Sequence, residues 1–105
     1  MARPTDGFKE FVLDQLTDLR GMTCRAMFGG YGLYREGVFF AIVHKSRLYF
    51  KTDETSRAAY LKHGMKPFQP SARQTLKTYY EVPVEIVEDR EQLIEWATTA
   101  SSADG

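Results

Sequence analysis

Arg25-Ala-Met-Phe-Gly-Gly-Tyr-Gly-Leu-Tyr34 decides the fold. Three glycines stand among aromatic and aliphatic residues here, at the start of the part of the chain richest in strand formers. The pattern predicts a strand over Thr23 to Phe28, a break at Gly29-Gly30 and a second strand over Gly30 to Arg35. Glycine permits positive φ or close backbone approach, and the aromatics supply buried surface. Outward from this point the chain reads as a meander. Glu36-Gly37 makes a turn, Val38 to His44 is the most apolar strand, Lys45-Ser46 is the next turn and Arg47 to Lys51 a fourth strand. Simple alternation puts Val38, Phe40 and Ile42 on one face of the apolar strand and Phe39, Ala41 and Val43 on the other. Both faces are apolar, so both need cover, from this chain or from a partner.

Helices are expected around the meander. Thr5 or Asp6 caps the first, Phe8, Phe11, Val12, Leu16 and Leu19 share its apolar face, and Gly21 ends it. Thr52 or Asp53 caps a second, with Ala58, Ala59 and Leu61 available to pack and Gly64 closing it. Residues 65–72 contain Pro67 and Pro70 and read as a loop or irregular edge. Thr75 to Val82 is a further strand ended by Pro83. Asp89-Arg-Glu-Gln92 has capping-box spacing before a last helix that presents Leu93, Trp96, Ala97 and Ala100. The expected fold class is α+β: a two-layer domain, mostly antiparallel in its sheet, with helices at the N-terminus, middle and C-terminus. Residues 1–105 are expected to form a single domain.

The opening stretch resembles the signature of the TfoX N-terminal domain family, named after a regulator of bacterial competence. Five further stretches fit the same pattern in the same order: Gly37-Val-Phe-Phe-Ala-Ile-Val43, Arg47-Leu-Tyr-Phe-Lys-Thr-Asp53, Gly64-Met-Lys-Pro-Phe68, Tyr79-Tyr-Glu-Val-Pro83 and Leu93-Ile-Glu-Trp-Ala97. The resemblance implies the same class of fold and a regulatory role in transcription. Full-length regulators of the family carry a second, helical domain after this one. The chain ends at Gly105, so a stand-alone N-terminal domain is expected.

Net charge is zero over the whole chain but unevenly spread. From Arg20 to Tyr80 eleven bases stand against three acids, and from Glu81 onward Arg90 faces seven acids. A basic middle of this kind suits phosphate or an acidic partner, or pairs with the acidic C-terminal part of its own domain. The N-terminus has no apolar signal core, the longest apolar run is far too short to span a bilayer, and Cys24 stands alone. A cytoplasmic protein without membrane contact is expected.

Chemistry-bearing motifs are sparse. Gly29-Gly-Tyr-Gly32 lacks the Gly-Lys-Ser/Thr ending of a Walker loop and the following helix of a dinucleotide fingerprint, so it reads as a structural kink. His44 and His63 have no metal-ligand spacing around them. Cys24 reads as a small strand residue, Ser46 and Ser56 have no base in view, and Glu81 and Glu85 read as solvated or paired with the basic middle. No catalytic residue, metal site or cofactor is expected. The leading reading is a non-enzymatic regulatory domain that contacts a protein partner, a transcription factor or the transcription machinery. Its surface is the exposed side of Val38 to Val43, including Phe39, with Arg25, Phe28, Tyr31 and Tyr34 at its edge, and a second copy of the chain is a further candidate partner. Two alternatives stand beside it. One is direct nucleic-acid binding, with Arg35, Arg47, Tyr49 and Lys51 following a phosphate backbone, the last three on one exposed sheet face. The other is a small-molecule-binding or enzymatic domain.

Overall fold

A computed structural model describes residues 4–27 and 29–102. Its sheet has six antiparallel strands in the order β1-β2-β3-β4-β6-β5. They are β1 (Met22–Met27), β2 (Gly30–Arg35), β3 (Val38–His44), β4 (Arg47–Lys51), β5 (Pro67–Ser71) and β6 (Gln74–Glu81). The first four form the expected meander, closed by tight turns in which Glu36 and Gly37, then Lys45 and Ser46, take positive φ. Positive φ at both turn residues matches the right-handed twist of the paired strands, which is why two-residue hairpin turns select it.

Helices α1 (Pro4–Gln15), α2 (Glu54–Lys62), α3 (Val84–Val87) and α4 (Arg90–Ser102) all contribute to one core on one side of the sheet. α1 starts earlier and stops sooner than its sequence pattern suggests. Thr5 and Asp6 lie inside it, with proline at a first-turn position where no donor is lost. It ends at Gln15 and not at Gly21; just beyond Gln15 the Thr17 hydroxyl donates to the Asp14 carbonyl at 2.7 Å and the chain turns. Its buried stripe also differs. Phe11 points outward at 42 % exposure, while Gln15 is buried and donates its side-chain amide to the Val87 carbonyl at 3.0 Å.

α2 is capped as expected, by Asp53, in a reciprocal box with Ser56. Before α4, Asp89 accepts from the Gln92 backbone at 3.1 Å, but the Gln92 side-chain amide donates to the same carboxylate instead of accepting from the Asp89 backbone N–H. α3 fills one turn between β6 and α4 and buries Ile86 and Val87; it was not expected.

β3 departs from simple alternation. Leu33 pairs with Ala41 but Tyr34 pairs with Phe39, so Phe40 is an extra residue in a bulge. Phe40 and Ala41 both enter the helix-side core with Val43, while Phe39 and Ile42 belong to the opposite face. That opposite face carries no helix. Its cover comes from within the sheet: the β5–β6 hairpin folds back over it. The ring of Phe68 in β5 lies 4.7 Å from Tyr49 two strands away and 5.2 Å from His44 three strands away. Such reach requires strong curling, and the β5–β6 ladder slips register at two points to allow it. Ile42, Tyr49, Phe68 and Tyr79 form a second, smaller core under this arm. The segment read as a loop or irregular edge is therefore an edge strand, and its prolines lie where a missing donor is tolerated.

Candidate interaction surface

The arm does not close over the β1–β2–β3 end of the helix-free face. Arg25 lies exposed on β1, opposite Gly32 on β2. Its guanidinium carbon sits 5.9 Å from the centre of the Tyr34 ring. Tyr34 stacks on Phe39 at 5.1 Å, and Phe39 on Tyr79 at 5.2 Å. The Tyr79 hydroxyl donates to the Phe39 carbonyl at 3.3 Å, which fixes the row to β6. Arg25, Tyr34, Phe39 and Tyr79 thus make a continuous cation–aromatic run across four strands, open at the Arg25 end and buried at the Tyr79 end.

Two glycines shape this surface. A Cβ on Gly30 would overlap the Val43 carbonyl oxygen, so β2 and β3 approach here as only glycine permits. A Cβ on Gly32 would lie 2.7 Å from the Met27 sulfur and 3.0 Å from the edge of the Phe39 ring. Met27 and Phe39 therefore lie across Gly32 and fill the gap between Arg25 and Ile42.

The other expected surface residues are placed differently. Tyr31 belongs to the helix side, packed against the main core with Lys9 4.5 Å over its ring. Phe28 falls outside the described residues. Val38 to Val43 offers less open surface than expected, because Ile42 is fully buried under the β5–β6 arm and Phe39 is half-buried. Pairing parity separates Tyr31 from Arg25 and Tyr34, and that much is readable from the sequence once the strands are drawn. Strand alternation marks Tyr79 as a packing residue of β6 but does not show that it reaches this row.

Arg35, Arg47, Tyr49 and Lys51 do not share a surface. Arg35 lies on the helix side and donates to the Ser101 hydroxyl at 3.0 Å, with its Nε buried and unpartnered. Arg47 is held by both carboxylate oxygens of Glu81, at 3.0 and 3.2 Å. Tyr49, expected on an exposed face, is 9 % exposed beneath Phe68, and burial raises its phenol pKa. Lys51 borders a cavity between α2 and α4.

Among the minor candidates, the Cys24 thiol is half-buried and burial pushes its pKa up. His63 caps the C-terminus of α2 and places Nδ1 3.4 Å from Glu85. Among the described residues no group of three or more His, Cys, Asp or Glu is gathered around a point where a metal ion would sit. No helix among them is long and apolar enough to cross a membrane.

Compared with models of known families, residues 14–103 match the TfoX N-terminal domain. The chain belongs to the TfoX N-terminal domain family. The match spans all six strands and α2 to α4, so it takes in the curled arm and the helix layer apart from most of α1. No curated protein matches the sequence.

Proposed function

We propose that the chain is a non-enzymatic regulatory domain that works by protein–protein contact, with a transcription factor or a component of the transcription machinery as its partner. Membership of the TfoX N-terminal domain family, associated with competence regulation, supports the regulatory part. The observation that carries the contact part is the open Arg25–Tyr34–Phe39 run on the helix-free face. Arginine and tyrosine are the residue types over-represented at binding hot spots, and this pair stands beside a half-buried apolar ring that a partner would finish covering.

Phe39→Asp is a blunt test, because Phe39 is wedged between Tyr34 and Tyr79 and its loss also disturbs the fold. Arg25→Glu changes an exposed residue and leaves the core intact. Leu61→Glu alters an exposed apolar residue on α2, away from the surface, and serves as control. In affinity capture from source-cell extract, wild type and Leu61→Glu should retain the same transcription protein and Arg25→Glu should lose it. Retention by Arg25→Glu would place the contact elsewhere. A mixed-sequence DNA duplex titrated at low salt should show no binding, since the four basic-aromatic residues are scattered or internally paired. Binding that weakens steeply with salt would replace this reading with direct nucleic-acid recognition.

A further inference from the structure

The cavity between α2 and α4 lies on the opposite side of the sheet from the interaction surface, at the end of β4. Its volume is about 190 Å³. An apolar cavity of about 150 Å³ is enough to hold benzene, so this one has room for a single ring with one small substituent. The walls suit such a ring. Tyr60 and Trp96 meet edge to face at 4.7 Å, and Ala59 and Ala100 keep the space between the helices clear.

Two polar features of the lining have no use within the chain. Tyr60 is 3 % exposed, and its hydroxyl makes no hydrogen bond among the described residues and keeps contact with solvent. Burial alone raises its pKa, with no charge or hydrogen bond contributing. Lys51 is the single charged residue of the lining, and its ammonium has neither an ion pair nor a hydrogen bond among the described residues. Its ammonium rides on a flexible four-carbon stem and is free to meet an anion at the opening. Ser56 and Thr99 add hydroxyls at the rim, and no acid lines the space.

We propose that this cavity binds a small aromatic carboxylate, its ring against the wall made by the Tyr60–Trp96 pair, its carboxylate on Lys51 and the Tyr60 hydroxyl. The site stands independently of the protein–protein surface, since it uses other residues on the other face of the sheet.

Benzoate is the probe, with benzamide as its neutral isostere. The chain contains one tryptophan, so a change in emission reports Trp96 directly. Benzoate should shift Trp96 emission saturably and move the backbone amide resonances of Ser56, Ala59 and Thr99. Benzamide should bind about tenfold more weakly, the factor expected for losing one hydrogen-bonded charge. Lys51→Met should remove that preference and leave benzamide affinity unchanged. Ala59→Leu, which fills the cavity from an exposed helix position, should weaken both probes. Equal affinity for the two probes, a preference that survives Lys51→Met, or amide shifts confined to other parts of the fold would each overturn the proposal.

Discussion

At the scale of single residues, Tyr79 does the most varied work. It is 8 % exposed, it ends the aromatic row from Arg25, and its hydroxyl ties β6 to the β3 backbone. Burial, and then the neighbouring Tyr34, push its phenol up to about 12. In the unfolded chain a tyrosine ionises near pH 10. Below that value both states keep the proton, and the stabilisation is fully present. As pH rises from about 10 through about 12, the unfolded chain gives up its proton while the folded one holds it, so stability falls across that window. Tyr60, raised by burial, acts in the same direction. Tyr79→Phe should therefore flatten the loss of stability in alkaline unfolding curves between those limits. At neutral pH it should cost about 1 kcal/mol for the lost hydrogen bond. An alkaline slope identical to that of wild type would show that Tyr79 does not carry it.

Among the elements, the β3–β4 hairpin carries removable strain. Lys45 and Ser46 take φ of 50° and 60°, a region that costs side-chain-bearing residues energy and that Asn-Gly occupies readily. Replacing Lys45 by Asn and Ser46 by Gly should stabilise the domain by about 1 kcal/mol and raise Tm by about 4–8 °C in thermal unfolding. A lower Tm would mean that the native pair makes contacts worth more than its strain. The same hairpin shows why much of the fold was legible. Period-two strands bounded by two-residue turns can be read from local pattern alone, and β2, β3 and β4 fall at the expected residues. What was not legible depends on distant parts of the chain. The Phe40 bulge reassigns faces along β3 only because β2 pairs there with a slip. β5 owes its place to one ring, Phe68, set between two prolines that argue locally for a loop. For the candidate site, Arg25, Tyr34 and Phe39 are within reach of the sequence, while Tyr31 lies on the helix side, opposite to the face expected of it.

For the molecule as a whole, the sheet is covered asymmetrically, by a helix layer on one side and by its own curled end on the other. Phe68, at 1 % exposure, holds that curl closed against Tyr49 and His44. Phe68→Ala should cost about 3–5 kcal/mol. It should also uncover Ile42 and Tyr49, so that light scattering of the still-folded fraction shows more self-association than wild type at equal concentration. A fully stable variant that scatters like wild type would mean that the arm is held by other contacts. Charge complementarity holds less of the molecule together than its distribution suggests: Arg47–Glu81 joins the basic middle to the acidic end, and Arg90 reaches back to Asp18 at 3.8 Å.

The two rims of the sheet are unlike. β5 spends two of its five positions on proline and is bent over the face, so it makes a poor template for another strand. β1 holds six residues without proline and has a neighbour on one side only. Growth by strand addition therefore has a single outlet. Two copies meeting β1 to β1 would use up both outlets in a closed twofold pair, with no rim left to seed a fibre.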